Sequence, residues 1–137
     1  RVLEGKDAFI RCLEELGYTV EVREEPITII EGLSGPYTSL EYLITLHGTD
    51  ELDGAKLRLS PKGVWWLGTQ GMIMLYGNVG EEYIGYFRAD GLFSRDHKDP
   101  HYGGIMEDGW YWDDQGLDTR AEKLSRDTVA QLLEQVS

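Results

Sequence analysis

Along this chain the spacing of apolar and polar positions changes period several times, and each change marks an element. Phe9, Leu13 and Leu16 recur at the i, i+4, i+7 spacing of one helical stripe, so Asp7 to Leu16 reads as an amphipathic helix with Gly17 as its stop. Tyr18 to Arg23 (YTVEVR) then alternates and is rich in β-formers, which predicts a strand. Glu24-Glu25-Pro26 punctuates it, because proline removes a ladder donor, and Ile27 to Leu33 (ITIIEGL) reads as a second strand able to pair with the first.

Ser34-Gly35-Pro36 is a turn by composition. After it, Leu40, Tyr42, Ile44 and Leu46 occupy alternate positions and predict a strand, although Leu43 breaks the pattern and a short helix fits the same residues. Gly48 to Gly54 (GTDELDG) is an acidic loop, and Lys56 to Leu59 alternates charge with leucine as a half-exposed strand would. The stretch from Gly63 to Phe87 is the longest in which apolar and aromatic residues dominate, and the rest of the sheet is expected to organise around it. Its strand candidates are Val64 to Leu67, Met72 to Tyr76 and Tyr83 to Phe87, with glycine-bearing turns between them.

From Arg88 to Asp118 periodicity fades into glycine, Pro100 and acids, with one short strand expected at Trp110 to Trp112. Order returns at the end. Ser125 is a good N-cap, and Val129, Leu132, Leu133 and Val136 fall at i, i+3, i+4, i+7, which predicts a terminal helix packed on the sheet. Thr119 with Glu122 has capping-box spacing, so an earlier start for that helix is also expected. The sum is a single α+β domain: a mainly antiparallel, twisted sheet of five to seven strands with an N-terminal and a C-terminal helix packed against it.

Length and composition agree. A chain of 137 residues with 41% hydrophobic positions sits at the usual size of one domain and carries enough apolar side chain for a core of its own. The single Cys12 excludes an intramolecular disulfide, which fits a reducing compartment, and it lies beside the first helical stripe as a small core residue. No apolar run approaches the length of a membrane helix, and no signal-peptide pattern opens the chain. Starting on Arg1 rather than Met, the chain reads as one that has lost a leader or been cut from a longer protein, and a cytoplasmic location is expected.

The formal net charge of −12 changes the picture more. It disfavours nucleic acid and anionic membrane as partners and favours cationic small molecules or basic proteins, while also serving solubility alone.

Two segments carry candidate chemistry. Asp96, His97, Asp99 and His101 put two imidazoles and two carboxylates within six residues, a donor set that suits a divalent metal or proton transfer. Pro100 opposes the shared helical face that His97 and His101 would need, and Arg95 and Lys98 bring positive charge. No serine stands in a G-x-S-x-G elbow, no twelve-residue calcium loop is present, and His47-Gly48-Thr49 lacks the second H-x-T of a two-histidine phosphodiesterase.

The segment from Asp99 to Asp118 holds six acids and no lysine or arginine, together with Tyr102, Trp110, Tyr111 and Trp112. Aromatic faces and carboxylates together recognise cations. Glu107, Asp108, Trp110, Trp112, Asp113 and Asp114 are therefore candidate binding residues with Tyr102; the alternative buries Trp110 and Trp112 under the terminal helix. Trp65 and Trp66 cannot both point inward from a regular strand, so one of them is exposed, against a ligand, or in a dimer interface. Two functions follow as expectations. One is a non-catalytic acidic module that recognises a cationic or aromatic small molecule or a basic protein, a homodimer being compatible with it. The other is a small metal- or histidine-dependent enzyme built on the Asp96–His101 loop.

Overall fold

The computed structural model describes residues 2–31, 35–61, 71–88, 107–113 and 121–137. Its elements are α1 (Val2–Glu15), β1 (Thr19–Glu31), β2 (Gly35–His47), β3 (Lys56–Pro61), β4 (Met72–Tyr76), β5 (Glu81–Phe87), β6 (Gly109–Asp113), β7 (Glu122–Lys123) and α2 (Arg126–Val136). The strands form one seven-stranded sheet in chain order, β1 through β7, with every pairing antiparallel. This is the expected α+β architecture. β4 and β5, the strands in the described part of the apolar stretch that ends at Phe87, stand fourth and fifth in that order.

Alternation then decides what each face buries. Ile44, Leu46, Leu57, Leu59, Ile73, Leu75, Ile84, Trp110 and Trp112 join Phe9 and Leu13 of α1 and Val129, Leu132, Leu133 and Val136 of α2 in one core. Both helices therefore pack on the same face. Burying each of the larger side chains there contributes about 1.5–3 kcal/mol relative to leaving it in water. The opposite face takes the alternate residues: Phe87, Tyr111 and Ala121 form a small second cluster, and Met72 and Met74 are buried nearby.

Local signals explain the helix ends. The chain leaves α1 through Gly17, whose φ of 100° is a left-handed conformation that other residues rarely adopt. α2 begins at Ser125, whose Oγ accepts the Thr128 N–H at 3.2 Å. A Cβ on Gly5 would lie 2.7 Å from the Trp110 ring, so α1 approaches β6 that closely because the position has no side chain. Cys12 is buried within the core, and burial pushes its thiol pKa up, with Glu15 adding to the shift. It is a packing residue.

Three local expectations are corrected. Tyr18–Arg23 and Ile27–Leu33 are not a hairpin: Pro26 lies inside the continuous strand β1, opposite Leu40, and the whole of β1 pairs with β2. β1 is the sheet edge, where only one side of the strand needs donors, so proline is tolerated in its interior. Gly35 and Pro36 likewise begin β2 rather than making a turn, opposite Glu31 and Ile30. Glu122 is not in an early turn of the terminal helix but in β7, paired with Trp112. The expected strand at Val64–Leu67 lies outside the described residues.

Candidate functional site

The sequence-derived candidates separate once the fold is known. Trp65, Trp66, Asp96, His97, Asp99, His101, Tyr102 and Asp114 lie outside the described residues. Trp110 and Trp112 are only 6% and 7% exposed and belong to the helix-side core. Tyr86 meets Trp110 edge-on at 5.7 Å, and the Trp112 Nε1 donates to Glu82 at 3.0 Å. Tyr111, between them, points the other way into the second cluster, and its hydroxyl donates to the Glu107 carbonyl at 2.8 Å. Burial raises the Tyr111 pKa. Glu107 and Asp108 are exposed, and Glu107 pairs with Lys123 at 2.5 Å. Asp113 ends β6 opposite Tyr83. The aromatic residues of β6 are thus inside, with the acids that precede them outside.

A different group of residues surrounds a cleft at the end of the sheet where both helices finish. Leu16 and Tyr18 follow α1, Asp50, Glu51 and Leu52 come from the loop joining β2 to β3, and Ala130, Leu133, Glu134 and Ser137 come from the last turns of α2 and its cap. The cavity measures about 490 Å³. Among its described lining residues the ionisable groups other than Tyr18 are all carboxylates.

The loop is held by its own acids. Asp50 accepts the Leu52 N–H at 2.9 Å, and Asp53 accepts the Gly48 N–H at 3.0 Å. The Tyr18 hydroxyl donates to Asp50 at 2.5 Å. Burial, this hydrogen bond and the charges of Asp50 and Glu51 push the Tyr18 pKa up to about 12. The ring is therefore neutral at any ordinary pH and presents an aromatic wall beside three carboxylates.

Helix direction adds to the field. α1 and α2 both end at this cleft, and neither has a basic residue in its last turn. A helix C-terminus carries a partial negative charge that favours cations within about one turn. Two such ends, Asp50, Glu51 and Glu134 all act with one sign. Apolar Leu16, Leu52, Ala130 and Leu133 line the same space and suit the methylene stem of a long cation. Among the described residues no three His, Cys, Asp or Glu side chains converge tightly enough to hold a metal ion. The cleft is thus suited to a diffuse organic cation.

The sequence held one sign of this site, the acidic loop GTDELDG, but not its partners. Tyr18 reads there only as the start of a strand, and Glu134 falls outside the apolar stripe of the terminal helix. His47, the other residue weighed in this region, ends β2 with its Nε2 3.1 Å from Glu21. Among the described residues no helix is long and apolar enough to cross a membrane. Compared with known proteins, the chain matches no family model, and neither a curated protein nor a solved structure is similar enough to match.

Proposed function

We propose that this protein is a non-catalytic binding module that takes a cationic group, carried by an organic small molecule or by an Arg- or Lys-bearing segment of a basic protein, in the acidic cleft. The observation that carries this is the convergence of two helix C-termini with Asp50, Glu51 and Glu134 around one aromatic-walled cavity. Tyr18 supplies a π-face for the cation, the carboxylates supply charge, and the leucines cover its stem. The net charge of −12 steers a cation toward the surface at long range, an effect that weakens with salt.

The test is a calorimetric titration with spermidine and, separately, with a hexa-arginine peptide, on the native chain and on Glu51→Gln/Glu134→Gln. These two substitutions leave the Asp50 hydrogen bonds of the loop in place. Binding by at least one probe is expected, weakened about tenfold or more in the double variant, which corresponds to about 1.4 kcal/mol. The absence of binding by both probes, or binding indifferent to the two substitutions, would remove the assignment.

A further inference from the structure

The far face of the sheet carries a second concavity in which cationic side chains outnumber acids in the lining, and we propose that it is a site for a small organic anion with a flat apolar body, of the aromatic carboxylate class. The cavity measures about 680 Å³ and spans β1 to β4. Its lining includes Glu21, Arg23, Leu43, Thr45, Lys56, Arg58 and Tyr76. Volume of this order suits a small-molecule ligand.

Register puts these side chains in two rows. Arg23 lies opposite Leu43, Leu43 opposite Arg58, and Arg58 opposite Tyr76. Glu21 lies opposite Thr45, and Thr45 opposite Lys56. Neighbouring strands are about 4.8 Å apart and same-face residues on one strand are about 7 Å apart. Lys56 and Arg58 therefore flank a space that one carboxylate can bridge, and Leu43 and Thr45 form the floor beside it.

The charges in this region are distributed unlike the rest of the chain. In a protein with 25 acids against 13 bases, this region sets Arg23, Lys56 and Arg58 against Glu21 in the lining, with Glu25 and Glu41 beside the two arginines. Glu21 is already engaged by His47 at 3.1 Å, and Arg23 by Glu25 at 2.9 Å. The Lys56 ammonium has no hydrogen-bond or ion-pair partner among the described residues. Arg58 stacks with its Cζ 4.3 Å from the Tyr76 ring centroid, while Glu41 approaches its Nε only at 3.9 Å.

The Tyr76 ring supports the Arg58 guanidinium from one side, and Glu41 at 3.9 Å is beyond hydrogen-bond distance of its Nε. A planar guanidinium so held offers a two-pronged donor to a carboxylate, with the Lys56 ammonium as a second charge. An apolar ring attached to that carboxylate would lie on Leu43 and Thr45. Inorganic phosphate would use the same cations without the floor, so the apolar body is the part that distinguishes the two.

The experiment is a fluorescence titration with 2-naphthoate, with inorganic phosphate and the neutral 2-naphthalenemethanol as comparison probes. Saturable binding of 2-naphthoate is expected, tighter than either comparison, and at least tenfold weaker in Lys56→Gln/Arg58→Gln. If that double variant does not keep the native thermal midpoint, Thr45→Glu, which sets a carboxylate on the floor, replaces it and must weaken binding by a similar factor. No binding of 2-naphthoate overturns the assignment, as does binding unaffected by the substitutions. Phosphate binding as tightly as 2-naphthoate overturns the requirement for an apolar body.

Discussion

The two faces of the sheet are made by the same seven strands, yet they are used differently. On the helix side, alternate residues from β2 to β6 form one apolar core with α1 and α2, with Glu82 bonded to Trp112 at its β5 end. On the far side the character changes along the sheet. Met72, Met74, Phe87 and Tyr111 are buried toward one end, while Arg23, Thr45, Lys56 and Arg58 line an open concavity toward the other. The period of two lets one strand satisfy both demands, because each residue serves one face only. A face closed by helices fixes stability, and a face left partly polar is free to carry chemistry.

The largest expected effect sets the two faces against each other. Leu75→Ala removes a fully buried helix-side residue of the central strand β4 and should cost about 2–5 kcal/mol in denaturant unfolding. Leu43→Ala removes a half-buried residue from the far face and should cost less than about 1.5 kcal/mol. Equal costs would mean that the far face is as tightly packed as the helix side, and the distinction between the faces would fail.

A smaller effect separates two tryptophans of β6 on one face. The Trp112 indole is bonded to Glu82, whereas the buried Trp110 Nε1 has no partner among the described residues. Trp112→Phe deletes a hydrogen bond to a charged group, and Trp110→Phe deletes a donor that gains nothing. The first should cost about 2 kcal/mol more than the second. Thermal unfolding of the two variants decides it, and a difference in the opposite direction would show that the Trp110 donor is in fact satisfied.

The smallest concerns pH. Burial and Asp50 hold the Tyr18 proton in the folded chain, so the folded state keeps it to about 12 while an ordinary tyrosine releases it near 10. The resulting stability is whole below pH 10 and is lost as pH rises through about 12. Urea midpoints measured across that window should fall less steeply for Tyr18→Phe than for the native chain. Identical slopes would detach Tyr18 from the acidic cleft.

Much of the fold was legible because periodicity is local. Met72 to Tyr76 and the Ser125-capped helix could be read from a few neighbouring residues, and their burial follows from the same pattern. Pro26 misled because a strand's tolerance of proline depends on whether a second neighbour pairs with it, which adjacent residues do not encode. The cleft was hidden for a related reason. Tyr18, Asp50 and Glu134 are ordinary at their own positions, and only the closing of α1 and α2 over one end of the sheet brings them together. The far-face rows depend on register across four strands, which no single stretch carries. The tryptophans of β6 stood out in the sequence for their size, and size is also what the core required.

Strand order that follows chain order has a consequence for how the molecule is assembled. Each described strand lies beside the one that precedes it, so none of them is threaded between two already in place. Most closures are short and individually inexpensive in loop entropy. The meeting of α1 with α2 is different, because it joins segments from opposite ends of the chain. That seam borders the acidic cleft, so the cleft exists only once the first and last described elements of the chain have met.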